Sequence, residues 1–274
     1  MTHNEFNIKA YDNINLFGQC WLPEGETKAV INLIHGIGEH STRYALMAEY
    51  YTEKGIAIYA IDYRGHGKSE GKRGHTPEYE SLMKDIDILM EYSAKDNSCK
   101  KIFIYGHSLG GNLVLNYVLR RQPKITGVIA SGPWLKLAFE PSKFDVALGG
   151  FVKKIYPAFT QKTKFELSDF SRNEANNTTY EKDDLVHGLI SVSLFFGARE
   201  AAKWALDNAN KMPVPLLLMH GSADKMTSPD GSKEFASKTD KAEIKIWDGF
   251  YHEIHNEKEN QQVYDWVINW IEKF

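Results

Sequence analysis

The run Lys101-Ile102-Phe103-Ile104-Tyr105 leads directly into Gly106-His107-Ser108-Leu109-Gly110-Gly111, and a helical pattern from Asn112 to Arg121 follows. A strand-like run, a G-x-S-x-G turn and a helix in immediate succession leave the chain few ways to fold. The strand has to end at the carboxyl edge of a sheet, and the turn has to be sharp enough to lift the serine out of it. A side chain two residues to either side of Ser108 would collide with neighbouring backbone, which is why glycine stands at both places.

A serine hydroxyl is almost fully protonated at neutral pH, so Ser108 needs a base in hydrogen-bond reach, and the base needs a partner that fixes its tautomer. Two later strand-like runs supply candidates. Val214 to His220 ends in Gly221-Ser222-Ala223-Asp224, and Ala242 to Trp247 is followed by Asp248-Gly249-Phe250-Tyr251-His252-Glu253-Ile254-His255. Both loops fall at carboxyl ends of strands, on the rim that carries Ser108, so Asp224 is the expected acid and His252 the expected base. The chain order Ser, Asp, His is that of the α/β-hydrolase arrangement.

An oxyanion hole needs two backbone N–H groups aimed at the developing charge. The residue after the nucleophile, Leu109, supplies one. The second is expected from Ile37, in the loop His35-Gly36-Ile37-Gly38-Glu39-His40 after the run Ala29 to His35. Asp62 to Ser69, after the run Ile56 to Ile61, is glycine-rich but lacks the G-x-x-x-x-G-K-[ST] spacing, and reads as a structural turn supporting that loop.

With Phe6 to Ala10, Asn15 to Leu22 and Ile125 to Ala130, these runs make eight strands. Amphipathic segments alternate with them, one carrying Tyr44, Met47, Ala48 and Tyr51, the next Tyr79, Leu82, Met83, Ile86, Leu89 and Met90. The second is expected to start on Thr76 as N-cap with Pro77 and Glu78 in its first turn. The last helix shows Val263, Trp266, Val267, Trp270, Ile271 and Phe274 on one stripe. The expectation is an α/β fold: a mostly parallel eight-stranded sheet flanked by helices, with an antiparallel hairpin at one edge. Residues 133–212 break the alternation and read as an inserted helical cap on a core made of 1–132 and 213–274. Within the insertion, Ser171 to Asp184 is polar enough to read as an irregular loop.

Hydrophobic residues at 42 % and charged ones at 25 % are globular values, and a net charge of -3 gives no basic footprint for nucleic acid. Cys20 and Cys99 suggest neither a disulfide framework nor a zinc site, and the histidines show no metal-ligand spacing, so no metal or cofactor is expected. Without a signal-like N-terminus or a long apolar run, the chain is expected to be soluble and cytoplasmic, touching a membrane at most peripherally.

The stretches LIHGIGEHSTRY, DYRGHGKSEGKRGH, GHSLGG, HGSADKMTSP and YHEIH together resemble the monoacylglycerol lipase and lysophospholipase family of α/β-hydrolase-fold serine hydrolases. GHSLG alone fits many esterases; its pairing with HG-x-G-E-H-S-x-R-Y is far more restricted. The resemblance implies Ser108, Asp224 and His252 as the catalytic triad and Ile37 and Leu109 as the oxyanion hole. It implies Glu39, Arg43 and His255 as the polar residues that recognise a glycerol head group.

A lipid ester needs an apolar channel, and Leu148, Phe151, Val152, Ile155, Tyr156 and Phe159 form one helical stripe in the insertion, with Leu189, Ile190, Leu194, Phe195 and Phe196 further on. Both stripes are expected to wall an acyl pocket. Lys136, Lys143, Lys153, Lys154, Lys162 and Lys164 outnumber Glu140 and Asp145 there, which suits transient contact with an anionic lipid surface. The expected function is hydrolysis of monoacylglycerols to fatty acid and glycerol through an acyl-enzyme. The alternatives are a lysophospholipase or general carboxylesterase and, more remotely, a non-catalytic binding protein of the same fold.

Overall fold

The computed structural model describes residues 1–96, 101–163 and 166–274; Cys99 and Lys164 lie outside the described residues. Strands β1 (Thr2–Lys9) and β2 (Asn15–Leu22) form an antiparallel hairpin. They are followed by β3 (Ala29–Ile34), α1 (Ala45–Glu53), β4 (Ile56–Ile61), α2 (Tyr79–Asp96), β5 (Ile102–His107), α3 (Leu109–Arg121) and β6 (Gly127–Ser131). The chain next forms α4 (Lys143–Ile155), β7 (Thr160–Lys162), α5 (Glu174–Glu181), β8 (Leu189–Ser191) and α6 (Val192–Asp207). It ends with β9 (Leu216–Gly221), α7 (Pro229–Ser237), β10 (Ala242–Trp247) and α8 (Asn260–Ile271).

The main sheet has eight strands in the order β1-β2-β4-β3-β5-β6-β9-β10. Only the pairings β1/β2 and β2/β4 are antiparallel; the others are parallel. This is the sheet expected from the sequence, with most strand ends moved by at most two residues; β1 starts at Thr2, ahead of the expected Phe6. The ladder of β9 starts at Leu216, because Pro215 has no N–H to give it. Central strands β3 and β4 are buried at every residue, as a sheet covered on both faces requires. Met47 and Tyr51 of α1 and Val263, Val267 and Trp270 of α8 cover one face. Leu82, Met83 and Ile86 of α2, Leu113 of α3 and Phe235 of α7 cover the other.

Four local expectations are corrected. Helix α2 begins at Tyr79, and the Thr76 hydroxyl donates to the Glu78 carbonyl instead of capping the helix. The polar stretch Ser171 to Asp184 contains α5, held by Asn177 Nδ2 donating to Ser171 O and by Asn176 Nδ2 donating to Glu253. The insertion also holds a two-stranded antiparallel ladder, β7/β8, too short to stand out as a pattern. Finally, α6 is docked on the core: Ala198, Ala201, Ala202 and Ala205 are buried, and Asn112 and Asn116 of α3 donate to the Ala198 and Ala201 carbonyls.

Candidate active site

Ser108 stands between β5 and α3 with φ 54° and ψ -115°, a conformation that costs a non-glycine residue on the order of 1–3 kcal/mol. The surroundings enforce it. The Ser108 N–H donates to Ser131 O at 2.9 Å, and its carbonyl accepts from Trp134 N at 2.9 Å. A Cβ on Gly106 would run into Gly110 O, and one on Gly110 into Ile34 O, so both glycines of the motif are dictated by backbone passing close by. Leu109 is the first residue of α3, where an N–H has no acceptor within the helix and the dipole is positive.

The loop after β3 is fixed from beneath. Gly36 N–H donates to Glu39 Oε1 at 2.5 Å, and Tyr63 Oη donates to Gly36 O at 2.7 Å. His35 stacks on Tyr63 at 4.1 Å, accepts from Tyr63 N–H at Nε2 and donates from Nδ1 to Gly36 O. Asp62 accepts from Ser41 N at 2.7 Å and Lys68 N at 2.9 Å, so the Asp62 to Ser69 turn supports this loop. A Cβ on Gly36 would lie 3.2 Å from Ser108 Cβ, which brings Ile37, the next residue, beside the serine.

Asp224 follows β9 and His252 follows β10. His252 Nδ1 donates to Asp224 Oδ2 at 2.7 Å, with Asp224 7 % and His252 1 % exposed. Asp224 Oδ1 accepts from Met226 N at 2.7 Å and Thr227 N at 3.0 Å, which points the other oxygen at the histidine. Burial alone would push the Asp224 carboxyl up, but the His252 and His220 rings beside it hold it well below the usual carboxylate range. Burial likewise opposes a charge on His252, yet the Asp224 charge and hydrogen bond, with Glu253 and Glu39 behind, keep its pKa above the ordinary value. An imidazole oriented by a buried carboxylate and readier than usual to take a proton has the chemistry a general base requires.

The polar residues assigned to a head group are partly committed elsewhere. Arg43, with its side chain 8 % exposed, donates to Glu39 Oε2 at 2.7 Å and to both oxygens of Glu253 at 2.6 and 2.8 Å, while Tyr180 of α5 covers its guanidinium at 4.4 Å. Glu39 also accepts from Tyr44 Oη at 2.8 Å. Their polar atoms thus serve each other in this structure. The bidentate guanidinium gives its charge mainly to Glu253, whose carboxyl is held far below the usual range despite burial, whereas burial raises Glu39. His255 stacks on Tyr44 at 4.8 Å, and among the described residues neither of its ring nitrogens has a hydrogen-bond partner; burial pushes its pKa down to about 4, so it is neutral.

The residues expected to wall an acyl pocket lie on α4 and just after it, and most are exposed. Leu148 is 51 %, Phe151 62 %, Ile155 69 % and Phe159 44 % exposed, Val152 is half-buried, and none of the α4 residues is buried. The reason lies on the other side of the helix, where Gly149 and Gly150 lie over Phe196 of α6 and turn the apolar ridge outward. In the second stripe Ile190 and Leu194 are core, and Phe195 packs on Trp134. A cavity of about 280 Å³ lies beside the loop after β3, walled by Ile37, Gly38, Phe170, Tyr180, Leu189 and Met226. A larger depression of about 560 Å³ around Met1, Glu24 and Lys54 lies near the start of β3, at the opposite end from Ser108. Sequence reasoning missed Glu253, Thr227 and His220, although Glu253 adjoins His252 and His220 opens the H-G-S-A-D stretch.

Sheet order, strained serine turn and buried His–Asp pair define an α/β-hydrolase-fold serine hydrolase. The chain belongs to the Hydrolase_4 family, described as serine aminopeptidase, S33, whose model matches residues 25–259. It is 34 % identical, over its whole length, to an uncharacterized abhydrolase domain-containing protein of Dictyostelium discoideum, of which it spans only 29 %. It is 28 % identical to the monoacylglycerol lipase of Mycolicibacterium smegmatis, over 98 % of this chain and 97 % of that one. The crystal structure of Paleococcus ferrophilus monoacylglycerol lipase superposes with a TM-score of 0.84 at 32 % identity, covering 99 % of this chain and 98 % of that one.

Proposed function

We propose that the protein hydrolyses monoacylglycerols to free fatty acid and glycerol through an acyl-enzyme intermediate. His252 takes the proton of Ser108 as its oxygen attacks the ester carbonyl, and Asp224 stabilises the imidazolium that forms. The Ile37 and Leu109 N–H groups receive the oxyanion; losing one such donor typically costs about 100- to 1000-fold in rate. His252 then returns the proton to the glycerol oxygen, and water, activated by the same ring, releases the fatty acid. The observation that carries this reading is the buried 2.7 Å bond between His252 and Asp224 on the rim that bears Ser108. The names and near-complete overlap of the Mycolicibacterium and Paleococcus relatives support the substrate class.

In this reading residues 133–212 are the cap, and the acyl chain enters the cavity between Ile37, Tyr180 and Met226. His255, whose ring nitrogens have no hydrogen-bond partner among the described residues, is the member of the Glu39, Arg43 and His255 group able to meet a glycerol hydroxyl. The exposed α4 ridge, with Lys143 and Lys154 beside it, is the part of the cap that touches a lipid surface. Among the described residues no helix is long and apolar enough to cross a membrane.

Turnover of a panel of monoacylglycerols, lysophospholipids, a triacylglycerol and p-nitrophenyl esters by wild type and Ser108→Ala tests the proposal. Serine-dependent release of fatty acid from monoacylglycerol is expected to exceed that from the others. Activity confined to lysophospholipids or short esters would keep the chemistry and overturn the substrate.

A further inference from the structure

Asp224 is flanked by two imidazoles. His220, at the end of β9 and 0 % exposed, puts its Nε2 3.1 Å from Asp224 Oδ2, the same oxygen that accepts from His252 Nδ1 at 2.7 Å. The orientation of the His220 ring is fixed by its neighbours. Nε2 faces the Thr227 carbonyl at 3.2 Å as well as the Asp224 carboxylate, and both only accept, so Nε2 carries the hydrogen. Nδ1 lies 2.8 Å from Ser232 Oγ, which holds the far side of the ring. With Thr227 Oγ1 at 2.9 Å, Asp224 Oδ2 faces three donors. A carboxylate so supplied is a weaker proton acceptor and attracts a neighbouring imidazolium less strongly than one left to His252 alone.

We infer that His220 is a positioning residue for the reaction proposed above: its Nε2–H holds Asp224 in aim, damps its basicity and thereby sets the pH at which His252 works as a base. The inference rests on the assignment of Ser108, His252 and Asp224 to the chemistry. The other charged or titratable groups around His252 and Asp224 are His107, whose ring lies 4.7 Å from those of His252 and His255, His255 itself, and Glu253 and Glu39 with Arg43 between them. They stay unchanged in the test.

The experiment is the pH profile of kcat and KM for p-nitrophenyl butyrate, over roughly pH 5 to 9 where histidine titrates. It compares wild type, His220→Leu, His220→Gln and Ser108→Ala. Leucine removes the donor, so Asp224 binds the imidazolium harder and the acid limb of kcat/KM should move to higher pH. The kcat should fall by roughly 10- to 100-fold, the usual effect of losing a group that orients a functional residue, with KM within about twofold of wild type. Glutamine places an amide N–H near the Nε2 position and should return both the limb and most of kcat. If His220→Leu does not fold, His220→Met, also without a donor, carries the same expectation. An acid limb that stays in place in the donorless variant, or a glutamine variant as impaired as leucine, overturns the inference while leaving the hydrolase reading intact. Absence of Ser108-dependent turnover in the wild type overturns both.

Discussion

Helices α8 and α4 carry apolar stripes of the same kind and meet opposite fates. In α8, Val263, Val267, Trp270 and Ile271 are at most 3 % exposed and fill the face of the sheet beside α1. In α4, Leu148, Phe151 and Ile155 are all more than half exposed, because the helix rests on α6 through Gly149 and Gly150. An amphipathic pattern says that a face is to be covered, and not by what. The α8 stripe is spent on stability. The α4 stripe is free to be spent on a lipid surface, which is its role in the proposed function.

The contrast can be broken by mutation. Trp270→Ala removes a fully packed ring and should destabilise the protein by about 3–5 kcal/mol, a fall of roughly 10 °C in Tm for a chain of this size, read by calorimetry. A comparable fall in any single α4 variant would refute the division of labour. Arg43→Met belongs with α8, since it strands the buried Glu39 and Glu253 carboxylates together, and should cost about 3 kcal/mol at neutral pH. Because Glu253 and Asp224 hold depressed pKa values in the fold, the stability they supply is complete above the ordinary carboxylate pKa and is lost as pH falls below it. The Tm of the wild type should therefore drop in acid, and Arg43→Met should flatten the Glu253 part of that drop.

A smaller effect separates chemistry from stability. His252 must be neutral to accept the Ser108 proton, and its pKa is raised, so kcat/KM should fall with an acid limb above the ordinary histidine value of about 6.5 while Tm is still constant. A limb below that value would contradict the role given to the Asp224 charge. Smallest in stability is the pair Phe151→Ser with Ile155→Ser. These substitutions should change ΔG by no more than about 0.5 kcal/mol yet abolish co-flotation with anionic liposomes. Unchanged flotation would leave the α4 ridge without the role proposed for it.

The same contrast explains what could be read in advance. The placement of Ser108, Asp224 and His252 at strand ends is legible because strand ends follow from short apolar runs, whose limits here moved by at most two residues. Gly106 and Gly110 were legible because backbone crowding admits nothing else. The direction of the α4 stripe was not legible, since the face that docks is made of two glycines and leaves no hydrophobic signal. Helix α5 was hidden because asparagine and threonine favour loops locally, and tertiary bonds from Asn176 and Asn177 override that preference. His220 and the pairing of Arg43 with Glu253 depend on side chains that meet only across loops, a proximity no local pattern encodes.

The central claim is that Ser108 is a nucleophile activated by the His252–Asp224 pair. Treatment with a fluorophosphonate, followed by peptide mass spectrometry of wild type and Asp224→Asn, tests it most directly. The account predicts one adduct on the Ser108 peptide in the wild type and labelling slowed by about 10⁴-fold in Asp224→Asn, where the histidine tautomer is lost. An unlabelled Ser108, or labelling at equal rate in both proteins, would contradict it.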